Sequence, residues 1–184
     1  MAAKSNLLNM ALSLTVVCLV CSALLGGVYA VTAEPIRKAE EAKVAASIAR
    51  VLPSFEAQPV LETVAVDGID YKYYRVPGAG YAVISTVGGF GGPLSLMVGI
   101  SEDGLIVNTV VLSHSETPGL GAKCTSEEAF IEQFEGWNPA EKRLAVRKDG
   151  GDVDAITAST ITSRAYAKAI ENAVGVYSKL TENE

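Results

Sequence analysis

One histidine, His114, serves the whole 184-residue chain, and that scarcity closes several routes at once. A Ser–His–acid relay would have to run through it, yet no serine sits in a nucleophile-elbow pattern. There is no H-E-x-x-H pair, and no G-x-x-x-x-G-K-[ST] loop to cradle a nucleotide. Cysteine is almost as scarce, with three copies. Cys18 and Cys21 form a C-x-x-C inside an apolar run, with no second pair to complete a zinc or iron–sulfur site. Cys124 has no partner outside that run, so no internal disulfide is expected. No metal site is expected.

Positive charge is also thin. The chain carries a formal net charge of −6, and no Lys/Arg-rich stripe interrupts it. Nucleic acid and anionic lipid headgroups both need such a footprint, so neither is an expected partner. Charge of either sign is missing between Lys4 and Glu34. The run "NLLNMALSLTVVCLVCSALLGGVYAVTA" inside that interval exceeds the ~20 apolar residues a membrane-spanning helix needs. "VYA" and "VTA" resemble small-residue cleavage sites, but the apolar stretch is long and its amino-terminal flank has one lysine. A retained anchor is the expectation. Lys4 favours a cytoplasmic amino terminus, and Arg37 and Lys38 weaken that bias. A single-pass anchor in the cytoplasmic (inner) membrane follows, with the remaining domain on the extracytoplasmic side.

The expected division is 1–33 membrane anchor, 34–53 connecting helix and 54–184 folded domain. The connecting helix is read from Ile36, Val44, Ile48, Val51 and Leu52 at helical spacing, with Pro35 in its first turn. Five strand patterns follow: "PVLETVAV", "YKYYRV", "YAVISTV", "LSLMVGI" and "LIVNTVVLS". Short turns join them, Asp103-Gly104 being a strong hairpin signal. A helix is predicted over 126–134, capped by Thr125 or Ser126, then a further strand or two around Gly150-Gly151. A last helix carries Tyr166, Ile170, Val174, Tyr177 and Leu180 on one face. The expected fold is α+β: a twisted, mainly antiparallel sheet packed with helices, behind one transmembrane helix.

Two loops stand out. "GGFGG" (88–92) lies between strand patterns with no helix after it, and reads as a flexible connection. "DAITASTITSR" (154–164) crowds five hydroxyls into seven positions just before the last helix. The residues alone leave two readings open. One is an over-supplied helix cap. The other is a phosphate seat, using the free amides and positive dipole end of the helix.

"DAITAST" resembles the flavinylation motif of the FMN-binding domain family, in which Asp, two variable residues, Ser/Thr, Gly, Ala and Thr precede a helix. Ala158 and Ser159 replace the glycine and alanine of that pattern. "ETPGLG" (116–121) is similar to a loop shared by two related families of flavin subunits. These are the G subunit of the Rnf complex, an ion-translocating ferredoxin:NAD oxidoreductase, and the C subunit of the sodium-translocating NADH:quinone reductase. The two motifs stand about forty residues apart in family order, and the chain's compactness favours the first of these families.

The resemblance implies an electron-transfer subunit, not catalytic alone, carrying FMN through a phosphoester to Thr160. It implies Thr157, Ser159 and Thr162 as hydrogen-bonding neighbours of the phosphate. It sets Glu116, Thr117, Gly119 and Leu120 along the flavin ring. Its partners would be the other Rnf subunits and, since no activating base is visible beside Thr160, a separate FAD:protein FMN transferase for maturation. The C-type flavin protein of the quinone reductase, or a non-redox membrane-anchored binding module, remain the alternatives at this point.

Overall fold

The computed structural model describes residues 7–182. Lys4 and its bearing on orientation lie outside the described residues. Helix α1 (Leu7–Val51) runs through Pro35 without interruption, at the cost of one main-chain hydrogen bond. Pro35 therefore sits inside a helix, and does not begin one. The apolar part of α1 is long enough to cross a membrane, and none of it is buried.

The compact unit comprises Val44–Glu184. Its frame is a five-stranded antiparallel meander in the order β1-β2-β3-β4-β5. The strands are β1 (Val60–Val66), β2 (Ile69–Val76), β3 (Gly80–Gly88), β4 (Pro93–Ile100) and β5 (Ile106–His114). All five sequence patterns became strands, because each alternates β-branched or aromatic side chains between two faces and ends at a turn. Two register shifts, at Ser95/Leu96 and Gly99/Ile100, interrupt the β4–β5 ladder.

Both faces of the sheet are covered. On one, Tyr71, Tyr73, Tyr81, Val83, Leu94, Leu96 and Val98 pack with helix α3 (Thr160–Thr181) and the segment around Phe130, Phe134 and Trp137. The alanines 165, 167, 169 and 173 of α3 are all buried, letting the helix lie close to the strands. Tyr166 is fully buried; it stacks on Phe134 at 5.3 Å and shares a 2.7 Å hydrogen bond with Thr109 of β5. Burial pushes its phenol well above the usual range.

On the other face, Val76, Ala82 and Met97 meet Ile48 and Val51 from the end of α1 and Leu52 just after it. Gly99 permits this. A Cβ there would lie 1.8 Å from the Val51 carbonyl oxygen. Asn108 donates to the Arg50 carbonyl oxygen at 3.3 Å.

Two expectations fail between β5 and α3. The 126–134 helix shrinks to α2 (Glu128–Glu132), and no side chain caps it. Thr125 instead donates to the Ala122 carbonyl, inside a 3-10 turn over Gly121–Thr125. The strands expected around Gly150-Gly151 do not form. A 3-10 turn (Arg147–Asp149) and a single parallel bridge between Val146 and Val153 take their place.

Candidate functional site

Segment 154–160 is held before it reaches α3. Gln133 accepts from the Asp154 amide at 2.8 Å and donates to the Asp154 carbonyl at 3.2 Å. This is the pair of bonds a neighbouring strand would supply. The Asp154 carboxylate pairs with Arg147 at 2.7 Å on the surface. The chain then turns at Ala158, whose φ of 61° lies in the left-handed region. Alanine is uncomfortable there, and glycine, which the resembled motif carries at this place, is not.

The hydroxyls that follow do not cap α3. Ser159 is the N-cap residue, yet its side chain makes no capping bond. Two of its neighbours are spent elsewhere. Ser163 donates to the Ser159 carbonyl at 3.0 Å and accepts from the Ile156 amide at 2.9 Å. Thr162 donates to Glu116 at 2.8 Å. Ser159 Oγ, on a residue only 6% exposed, has no hydrogen-bond partner. An orphaned buried hydroxyl costs roughly 1–3 kcal/mol. Here it stands at a helix start whose first amides also lack helical acceptors.

Ser159 lines a cavity of about 320 Å³ together with Ala158, Thr160, Ile161, Thr162, Phe90, Glu116, Thr117, Leu120 and Gly121. Three chain segments thus converge: the start of α3, the 116–121 loop, and the glycine-rich turn between β3 and β4. The structure brings Glu116, Thr117, Leu120, Ser159, Thr160 and Thr162 together in one lining. Thr157 and Gly119 are exposed and outside the lining.

Phe90 is the residue that sequence reasoning missed, because "GGFGG" read as slack. The turn is fixed. The Phe90 amide donates to Glu116 Oε1 at 2.8 Å, and its ring is 67% exposed at the cavity. An aromatic set among four glycines was the available signal. Ile161 was missed too. With Leu120 it gives the cavity rim two more exposed apolar side chains.

Glu116 is the centre of the arrangement. It is 5% exposed, and both carboxylate oxygens accept from the protein: Oε1 from the Phe90 amide, Oε2 from Thr162. Close packing sets the shape. A Cβ at Gly89 would lie 2.0 Å from Oε1, and one at Gly121 would lie 2.4 Å from Oε2. Nearby, Cys124 is buried; desolvation, helped by the charge of Glu116, pushes its thiol up to about 11. It is not a thiolate at neutral pH.

Glu116 is the lone ionisable side chain in the lining. The cavity therefore offers a helix start, hydroxyl donors and an apolar rim, but no cation. That set suits a flat apolar ring with a phosphate at one end. No group of three or more His, Cys, Asp or Glu able to hold a metal occurs among the described residues.

Comparison with known proteins agrees with this geometry. A family model described as an FMN-binding domain matches residues 89–175, which hold all three converging segments. A second, described as the RnfG N-terminal region, matches residues 1–51. The chain is 31% identical to the G subunit of the ion-translocating oxidoreductase complex of Shewanella baltica (strain OS223), over 93% of this chain and 89% of that protein. It is 36% identical to the corresponding protein of Stutzerimonas stutzeri, over 89% and 78%. To that of Vibrio atlanticus (strain LGP32) it is 44% identical over a shorter span, 47% and 43%.

Proposed function

From the premise that the chain belongs to the family of G subunits of the ion-translocating oxidoreductase complex, we propose that it holds its FMN covalently, through a phosphoester on Thr160. The family membership makes the protein an FMN-carrying electron-transfer subunit of an Rnf-type complex, working with other subunits. FMN supplies the redox chemistry when bound, and the protein supplies attachment, position and electrostatics.

The unpartnered Ser159 hydroxyl carries the assignment. It is buried in the cavity wall, one residue before Thr160, at a helix start with free amides. A phosphate there gains donors that the protein itself leaves unused. Thr162 is tied to Glu116, so it shapes the seat through that tie.

Charge supports the ester. A free FMN monoester carries about −1.5 to −2 at neutral pH. The seat meets it with no lysine or arginine and with a buried carboxylate nearby. A diester on threonine carries one negative charge, which dipole ends and hydroxyls can satisfy. Covalent retention then replaces the ion pairing that the cavity lacks.

The attachment needs help. A threonine hydroxyl requires a base to act as a nucleophile, and Glu116 is committed to Phe90 and Thr162. A separate FAD:protein FMN transferase fits that need. The Thr160 oxygen–phosphorus bond forms as the pyrophosphate bond of FAD breaks, AMP leaves, and the hydroxyl proton passes to a base of the transferase. The exposed apolar part of α1 anchors the protein by one pass in the cytoplasmic membrane, with the domain on its outer side.

The test is expression of the full chain with and without the transferase, then a denaturing gel viewed under ultraviolet light. A fluorescent band is expected with the transferase, none without it, and none for Thr160→Ala. A dark band in every case overturns the covalent assignment; fluorescence that survives Thr160→Ala overturns the residue.

A further inference from the structure

Glu116 ties the glycine-rich turn between β3 and β4 to the start of α3. Its Oε1 receives the Phe90 amide and its Oε2 receives the Thr162 hydroxyl, each at 2.8 Å. The Glu116 amide in turn donates to His114 Nδ1 at 3.2 Å. Glycines 89 and 121 leave no room for any larger residue against the carboxylate. Two donors meeting two acceptors is the arrangement of an ionised carboxylate, with no protein acceptor waiting for a proton. The rest of the cavity lining is uncharged and holds no lysine or arginine. A buried negative charge without a counter-ion acts over a longer range than a surface charge, since water screens it less.

We infer that Glu116 is a positioning residue whose fixed negative charge lowers the reduction potential of the flavin in this cavity. The inference rests on the reading that FMN occupies the cavity. Adding an electron beside an anion is disfavoured relative to adding it beside a neutral group. The two hydrogen bonds keep the anion in place while the electron comes and goes. No bond is made or broken at Glu116 in the process.

The test compares the flavinylated full chain in detergent with its E116Q and E116D variants, by spectroelectrochemical titration of the bound flavin. Glutamine can keep both contacts, its carbonyl accepting from Phe90 and its amide donating to the Thr162 oxygen. E116Q is therefore expected to fold, to give a fluorescent band on the gel, and to titrate at a more positive potential. E116D keeps the charge on a side chain one methylene shorter, so its potential is expected to lie closer to the wild type than that of E116Q. An unchanged or more negative potential in E116Q overturns the inference. So does an E116Q protein that folds but takes up no flavin, because the carboxylate would then serve modification. Should E116Q not fold, Thr162→Val supplies the test. It removes one donor to the carboxylate and keeps the charge, so the potential should move negative; no shift, or a positive one, overturns the inference. A wild-type chain without flavin would instead remove the reading on which the inference rests.

Discussion

The two faces of the sheet are closed in different ways. The face under α3 is covered by a 22-residue helix and by the aromatic segment of Phe130, Phe134 and Trp137. The opposite face relies on Ile48, Val51 and Leu52, supplied by the end of α1 and the residue after it. The first face can lose a contact and keep its cover. The second has three buried covering side chains, with Val44, Phe55 and Ala57 partly buried beside them, and one glycine that lets a helix carbonyl approach a strand. The cavity belongs to the redundant face, built on the helix that packing holds most firmly. The end of α1 is a structural part of the domain, and the site is mounted on the other side of the sheet from it.

The largest expected effect breaks the dependent face. A chain starting at residue 54 loses Ile48, Val51 and Leu52. Each fully buried aliphatic side chain contributes about 1.5–3 kcal/mol, so the loss of three is roughly 4.5–9 kcal/mol. That matches the whole stability of a typical small domain, about 5–15 kcal/mol. This chain should show no cooperative thermal melt, whereas one starting at residue 40 should melt cooperatively. Equal melting of the two would dissolve the distinction between the faces.

A smaller effect separates the faces without truncation. Gly99→Val sets a branched side chain against the Val51 carbonyl and should cost about 2–3 kcal/mol in chemical denaturation. Ala169→Gly, on the redundant face, removes one methyl group and weakens the helix by about 1 kcal/mol. If the alanine change proved the more damaging, the ranking of the faces would reverse.

The smallest effect lies at the cavity itself and has the opposite sign. Ala158 holds a φ of 61°, so Ala158→Gly should relieve strain and stabilise the fold by about 0.5–1 kcal/mol. Flavin incorporation should be at least as complete as in the wild type. A destabilised Ala158→Gly protein would show that the methyl group does packing work that outweighs the backbone cost.

These contrasts also show what the sequence could convey. The strands were legible because alternation and turn chemistry are local, and Asp103-Gly104 needed no distant partner to mark a hairpin. The α3 face was legible for the same reason. Its breadth was not, since the buried alanines carry no pattern strong enough to separate core from filler. The cap expected at Thr125 failed because a hydroxyl can bond backward, here to Ala122, as easily as forward. The strands expected near Gly150 failed because pairing needs a partner, and only Val146 and Val153 found one another. At the cavity, Thr160 and the 116–121 loop were visible as motifs. Phe90 was not, because a glycine-rich turn looks mobile until the distant carboxylate that fixes it is known. The role of Glu116 was hidden for the same reason: its partners lie 26 and 46 residues away along the chain.

The grip of Gln133 on Asp154 has one more consequence. A peptide copied from residues 154–164 would carry every hydroxyl of the motif and neither the grip nor the tie to Glu116. Its hydroxyls would sample many arrangements, and no helix start would hold Thr160 beside free amides. The domain holds Thr160 at a fixed address, and the peptide would place it there only by chance. The placement of this threonine is thus a property of the folded domain and not of the eleven letters alone.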